Sequence, residues 1–456
     1  MKKRVPPVNI RGVGFTKRPL NNRGGTNMKY TQNEKILQVT DKTLVIGVDV
    51  ASEVHYARAF DFRGIELGSV FRVPNDAEGF HNLTLWINEL KVKHGKKNVM
   101  VGMEPTGHYW FNIGHYFRTH EIKVVLVNPF HVNRSKELDD NNPTKNDRKD
   151  PKTIAMLVKD GRYMIPYIPE GVYSELRIAM ESRWHLVKQL NTIRNRVKRW
   201  LSIYFPEFNT VFKSWEGKCA LIALREFPTP AQVLSKGTEA IAERWKKDKI
   251  RAVGLKKTMQ LVAAAKSSVG VQEGLWAAEN DLMMLLEDYE IKMKQLDRLM
   301  KMVESLVNQI PGIHEVLKIK GVGLVTVAGF MAEVGDISRF DHPKQIQKLA
   351  GLNLRENSSG KHKGKTTITK RGRKRLRALL FLAMMPLVAK NAEFRTLHQH
   401  YISRVKNPLK RKQSLILLGC KLIRVIYALL KKQVAYDPKK MMNDIQRPNI
   451  PTVVAA

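Results

Sequence analysis

The sequence predicts an α/β domain at its N-terminal end, a long helical middle region and a mainly α-helical C-terminal domain. Two observations predict this. Between residues 42 and 165, short β-rich runs alternate with stretches of helical periodicity. Beyond about residue 170, apolar residues recur at alternating spacings of four and three, a helical rhythm and not a strand's.

Residues 1–41 read as a basic, flexible leader: residues 1–40 hold nine Lys or Arg against one acid, with several Gly, Pro and Asn. Residues 42–165 form the α/β domain. Thr43 to Val50 (TLVIGVDV) reads as a buried strand, Val54 to Phe62 as a second after a turn, and Leu67 to Val73 as a third beyond the Arg63-Gly64 turn. Asn75 caps a helix running to Leu90, with Phe80, Leu83, Ile87 and Leu90 on one face. A strand at Val99 to Met103, a helix at Tyr109 to Thr119 and a strand at Lys123 to Val127 follow. The polar loop Asp139 to Asn146 then leads into a helix beginning near Asp147. Three meandering strands followed by helix–strand units is the ribonuclease-H-like order.

Residues 170–310 form the helical region. Leu186, Leu190, Ile193, Val197, Trp200 and Tyr204 keep one face of a helix over 174–204. Residues 205–270 are mixed, interrupted by Pro206, Pro228 and Pro230. From Leu282 to Ile310 the four-three rhythm is unbroken over Leu286, Tyr289, Met293, Leu296, Met300, Val303 and Val307. That pattern fits an antiparallel hairpin with the helix at 174–204 or a coiled-coil seam between subunits. Pro311-Gly312 ends the helix, a compact domain follows over 311–434, and residues 435–456 form a Pro- and Asn-rich tail.

Composition narrows the partners. The 456 residues contain 79 Lys and Arg against 42 Asp and Glu, leaving +37. A surplus of that size repels itself unless a polyanion neutralises it, and nucleic acid is the usual one. A membrane surface is the rival partner. No unbroken apolar run reaches the length of a bilayer span, because Lys421 and Arg424 interrupt Leu415 to Leu430, which reads as a buried helix. Cys219 and Cys420 give neither a disulfide framework nor a metal knuckle, so a reducing, cytoplasmic setting with accessible DNA is expected.

Four acids stand at informative places. Asp49 lies inside an apolar strand, where a carboxylate is costly to bury unless a cation or donor meets it. Glu104 ends the fourth strand, which lies beside the first in this sheet order. Asp147 and Asp150, in NDRKD, are three apart and share a helical face. If the last helix crosses the sheet, the four converge, and their mutual repulsion is relieved by a hard divalent cation such as Mg²⁺. Each acid taken singly also reads as a turn, cap or first-turn residue.

The motifs GVDVA, GMEPTG, NPFHV and KNDRKDP, in that order over residues 44–160, resemble the RuvC-like N-terminal domain of the DEDD insertion-sequence transposases, the bridge-RNA-guided recombinases. The long basic leader before Asp49 departs from that pattern. The resemblance implies Mg²⁺ held by Asp49, Glu104, Asp147 and Asp150.

The C-terminal block carries the other half of the pattern. Ile319 to Ala328 (IKGVGLVTVA) is similar to a helix-hairpin-helix, whose glycine-rich turn offers N–H groups to phosphate, though Ala328 falls one residue late and a plain tight turn fits as well. Lys361, Lys363, Lys365, Lys370, Arg371, Arg373, Lys374, Arg375 and Arg377 put nine cations in seventeen residues with no acid, which points to direct nucleic-acid contact. GKHKGKT is no P-loop: three residues stand between its glycines where four are needed, and no apolar strand precedes it.

Gly321 to Gly323, Ala350-Gly351-Leu352, Ser359-Gly360, Ile368 to Gly372 and Leu376-Arg377 resemble the family's C-terminal transposase domain. On residues alone, Ser358-Ser359-Gly360 is a loop tip; the resemblance implies that Ser359 is the nucleophile joined to DNA, with Ser358 the alternative in the doubled pair. It further implies donor and target DNA, a structured non-coding bridge RNA, and a homo-oligomer in which the carboxylates of one subunit serve the serine domain of another. Two rivals stand beside it: a ribonuclease-H-like nuclease or junction resolvase using water, and a non-catalytic nucleic-acid-binding scaffold.

Overall fold

The computed structural model describes residues 31–105, 107–139, 149–248, 255–355, 358–359, 362–364, 366–440 and 442. The chain divides into two compact units, Met1–Ile168 and Pro169–Ala456.

The first unit is built on a mixed sheet of order β3-β2-β1-β4-β5-β6. Its strands are β1 (Thr43–Asp49), β2 (Val54–Phe60), β3 (Phe71–Pro74), β4 (Asn98–Met103), β5 (Lys123–Val127) and β6 (Tyr163–Met164). β2 runs antiparallel to β1 and β3, β4 lies parallel to β1 and β5, and β6 closes the edge antiparallel to β5. For β1 to β5 this is the strand arrangement expected from the order of elements. β1 is apolar without alternation because helices cover both its faces. Leu44, Ile46 and Val48 pack with Phe80, Leu83, Ile113 and Phe117, while Val45 packs with Ile154, Ala155 and Val158.

Helices α1 (Gln32–Ile36), α2 (Ala77–Lys93), α3 (Trp110–Thr119), α4 (Pro129–Asp139) and α5 (Asp150–Lys159) complete this unit. Several details differ from the sequence expectation. The end of the supposed leader, from residue 31, is folded: a Thr31 capping box starts α1, and Gln32 Nε2 donates to the Asp160 carbonyl at 3.1 Å. Asp76, not Asn75, caps α2, accepting from the Gly79 N–H at 2.7 Å, because Asn75 is engaged elsewhere. The third strand is shorter than expected, and α4 and β6 lacked any clear periodic signal. α5 starts at Asp150, and Asp147, the other member of the pair expected to share a helical face, lies outside the described residues.

In the second unit, α6 (Gly171–Tyr204) and α11 (Leu275–Asn308) pack side by side. Leu176 and Ala179 share a core with Val303 and Val307, whereas Trp200 Nε1 donates to the Ala278 carbonyl at 2.7 Å, so the two helices run antiparallel. The short helices α7 (Phe208–Val211), α8 (Lys218–Glu226), α9 (Pro230–Lys247) and α10 (Leu255–Lys266) fill the interval between them. They enclose a core with the 190–201 and 278–289 stretches. Met293 is 38% exposed and Leu296 only partly buried, so the four-three rhythm crosses a less buried stretch between two intrachain cores, the second of which takes Val303, Val307 and Ile310.

The rest of the unit comprises α12 (Ile313–Leu317), α13 (Leu324–Val334), a 3-10 turn at Ile337–Arg339 and α14 (Pro343–Leu349). Then come the strand pairs β7 (Leu354–Arg355), β8 (Ser358–Ser359), β9 (His362–Lys363) and β10 (Thr367–Ile368), followed by α15 (Lys374–Lys390), α16 (Ala392–Ser403) and α17 (Arg411–Lys432). By length and composition α17 could cross a membrane, yet 61% of its most apolar window is buried within the chain, where Leu418, Leu422 and Ile426 join the core of this unit.

Candidate functional site

The sheet and α5 determine where the acids stand. β1 and β4 pair in register, Gly47 opposite Gly102 and Val48 opposite Met103, so Asp49 and Glu104 follow at the same end of adjacent strands. Such strands lie about 4.8 Å apart. Side chains alternate, and Val45 packs on the α5 side, so Gly47 and Asp49 face α5 too. Met100 does the same in β4, and continuing its alternation through Gly102 brings Glu104 to that face. Asp49 and Glu104 are both half-buried.

The paired glycines explain how α5 reaches them. A Cβ on Gly47 would stand 1.8 Å from the Pro151 carbonyl oxygen and 2.8 Å from the Ala155 nitrogen; one on Gly102 would stand 2.4 Å from Val158 Cγ2. The helix therefore rests on bare backbone in a trough that side chains would fill. Its first residue, Asp150, is only 8% exposed and adjoins the Pro151 carbonyl that touches Gly47, two residues before Asp49. Asp49, Glu104 and Asp150 thus share one face and one end of the sheet. Among the described residues no three Asp, Glu, His or Cys side chains already close around a cation position.

Behind Asp49 sits a lock that the sequence did not reveal. His55 is fully buried, and its Nδ1 accepts from the Ala51 N–H at 3.1 Å. Asn75 holds the same turn, donating through Nδ2 to the Ser52 carbonyl at 2.9 Å and through its backbone N–H to the Glu53 carbonyl at 2.8 Å. Burial pushes the His55 imidazole below its ordinary pKa, and the nearby Asn75 side chain opposes that shift. The only sequence signal was a histidine at an inward position of β2.

In the second unit the family-like motifs meet at one clasp. The Lys370 N–H donates to the Gly351 carbonyl at 3.1 Å, the Thr369 N–H to the Asn353 carbonyl at 2.8 Å, and the Arg373 N–H to the Leu349 carbonyl at 2.7 Å. Arg377 Nη1 ties the halves together by donating to the carbonyls of Ala350 and Lys370 at 2.9 and 3.2 Å. Gly372 has φ +149°, and a Cβ there would meet the Leu349 carbonyl oxygen at 2.4 Å. The clasp anchors β7 and β10, which pair antiparallel, and beyond them β8 pairs with β9, Ser359 opposite His362. Ser358 and Ser359 thus lie on a short strand of a hairpin, where the sequence alone suggested a loop tip.

The basic residues divide. Lys361 and Lys365 lie outside the described residues, and of Lys363 only its place in β9 is described. Lys370, Arg371 and Lys374 are exposed. Arg373 is half-buried and donates to the Glu333 carbonyl and carboxylate at 2.6 and 3.3 Å, so its charge is spent internally. Arg375 bonds to Glu181 at 3.1 Å and stacks 4.8 Å over Trp184. The Gly321 turn, with φ +98°, packs against α15: a Cβ there would stand 2.9 Å from Leu387 Cα, which gives this glycine a packing role.

Two family models match the chain. One, described as a transposase of the DEDD type found in IS110 elements, covers residues 46–206; the other, described as the transposase IS116/IS110/IS902 family, covers residues 306–399. Together they span more than half of the sequence. The chain is similar to the uncharacterised 44.8 kDa protein of insertion element IS116 from Streptomyces clavuligerus, 23% identical over 86% of this chain and 96% of that protein. It is likewise similar to the pilin gene-inverting protein of Moraxella bovis, 23% identical over 86% of this chain and 98% of its relative. The putative transposase of the IS117 mini-circle from Streptomyces coelicolor is 22% identical over 78% of this chain and 88% of its own length. These matches define the class as a DNA transposase, and a mixed sheet bearing acids at one end, with a largely helical remainder, is consistent with it. The chain belongs to the IS116/IS110/IS902 family of transposases.

Proposed function

We propose that this transposase cuts and rejoins DNA through a covalent seryl–DNA linkage, with Mg²⁺ held by Asp49, Glu104, Asp147 and Asp150. The observation that carries the metal half is the Gly47–Gly102 trough. It lets the first turn of α5 come down beside the ends of β1 and β4, and a methyl group on Gly47 would prevent it. Oxygen-only donors at that place suit a hard divalent cation. When bound, the ion supplies charge neutralisation for the scissile phosphodiester.

Ser359 is the proposed nucleophile, supported by its position on the hairpin held by the clasp of Gly351, Gly372 and Arg377. Its Oγ forms a bond to phosphorus while the bond from phosphorus to the sugar oxygen breaks. The serine proton leaves to solvent, and the departing sugar oxygen is protonated to a free hydroxyl. That hydroxyl, or one on another strand, reverses the step and releases the serine. One ester replaces another, so no high-energy cofactor is consumed. Exposed cations such as Lys370 and Lys374 bind the strand's phosphates. We further propose that the protein works as a homo-oligomer, the carboxylates of one subunit serving the serine of another, and that a structured bridge RNA pairs with donor and target DNA. The partly exposed stretch around Met293 and Leu296 suits contact between subunits.

The test is a denaturing gel of the full chain incubated with its element's DNA and flanking RNA. Ser359→Ala should abolish the DNA-shifted protein band, and Asp49→Asn, Glu104→Gln or chelation of divalent ions should abolish it too. Cleavage that persists in Ser359→Ala and in Ser358→Ala points instead to water as the nucleophile.

A further inference from the structure

A cavity of about 410 Å³ opens beside the clasp, within the range of about 300–1,000 Å³ typical of small-ligand sites. Its floor and walls are carbon: Leu352, Leu380, Phe381, Leu415 and Ile416, with Gly419 leaving room on α17. Its rim is cationic. Lys370 and Lys374 are exposed there, and Arg377, oriented by the carbonyls of Ala350 and Lys370, completes the edge. Lys374, Ala378 and Phe381 stand at i, i+4 and i+7 of α15, so one helix face runs from rim to wall.

An apolar slot with an aromatic wall and a cationic lip matches one ligand chemistry closely. A nucleotide out of its stack presents a flat, weakly polar base and, one sugar away, a phosphate. A buried apolar side chain of a protein partner would fill the slot but leave the three cations unmatched, and a free anion would leave the apolar walls unused.

We propose that this cavity takes a single unstacked nucleobase from a nucleic-acid strand, with the flanking phosphates on Lys370, Lys374 and Arg377. The proposal rests on the reading of this segment as the one that handles DNA. Because the clasp forms both the cavity rim and the base of the β7–β10 hairpin, an inserted base fixes the strand's position relative to Ser358 and Ser359. Stacking against an aromatic wall is worth roughly a tenfold gain in affinity per base, with little dependence on base identity.

Single strands of about ten nucleotides, the scale of a single-strand binding site, test this with the full chain. One carries 4-thiothymidine in DNA, another 4-thiouridine in RNA, and each is cross-linked by ultraviolet light and mapped by mass spectrometry. The expected products lie in the peptides holding Phe381 or Leu415–Ile416. Ala378→Trp, at an exposed helical position on the rim, should reduce them about tenfold while the melting temperature stays unchanged. In competition with the unmodified chain, an abasic strand of equal charge should be about tenfold weaker, a readout that needs no variant. The strand that cross-links identifies the source as DNA or RNA. Cross-links confined to other peptides, an abasic strand that competes equally, or products indifferent to Ala378→Trp would each overturn the proposal; the last two are what an apolar protein partner of this cavity predicts. Failure of the catalytic scheme reads out separately, because Ser359→Ala removes the seryl adduct and leaves base cross-linking intact.

Discussion

The acid-bearing end of the sheet and the serine hairpin are built on opposite principles. Asp49, Glu104 and Asp150 come from elements about fifty residues apart in sequence, and their shared position depends on a buried sheet and a helix pressed onto it. Ser358 and Ser359 sit on a two-residue strand held by its neighbours, and the hydrogen bonds that close the clasp beneath them run between Leu349 and Arg377. The first is therefore coupled to global stability, whereas the second can open locally while the rest stays folded.

The sharpest break in that comparison is Gly47→Val. Its Cβ meets backbone that cannot rotate away, so a destabilisation of about 3 kcal/mol or more is expected, with loss of the folded N-terminal unit in urea titration. An unchanged midpoint would show that α5 does not rest on the sheet as described. Next in size is Gly372→Ala, which strains a backbone at φ +149° by roughly 1–3 kcal/mol. Hydrogen exchange should quicken across 350–373 and recombination should fall, while the urea midpoint of the N-terminal unit holds. Arg377→Ala removes two bonds to clasp carbonyls, a local loss of about 1–2 kcal/mol read by the same exchange measurement, and Arg377→Lys should restore only part of it.

The smallest effect concerns pH. Burial keeps the His55 pKa below 6.5, so as pH falls through that value the unfolded chain takes up the proton first and the folded N-terminal unit loses stability. His55→Gln keeps an acceptor for the Ala51 N–H and should flatten the decline between neutral and mildly acidic pH. An unaltered slope in the variant would assign that decline to other groups.

Much of the N-terminal unit was legible because its strands and helices carry strong periodic patterns, as in Lys123–Val127, whose bounds match the expectation. α4 and β6 were missed for the same reason in reverse: α4 is polar on most of its surface, and two residues are too few to show a period. The sequence puts the α2 cap at Asn75 because Asn and Asp at adjacent positions are equivalent to local chemistry; the contact with the Ser52 carbonyl decides between them. Arg373 falls among the nucleic-acid-facing cations by sequence, since density alone cannot distinguish a cation facing solvent from one bonded to Glu333.

Composition and spacing by themselves determined the charge of +37, the two-part order of sheet and helices, and which acids and serines were worth following. Those properties reside in single residues or short runs, where local physics suffices. Only the tertiary structure decided that Gly47 and Gly102 form a trough, that His55 and Asn75 lock the turn behind Asp49, and that motifs spread over 349–377 close into one clasp. Each of these depends on atoms brought within van der Waals distance from separate elements, and a glycine, a buried histidine or an arginine has no local signature of what it will touch.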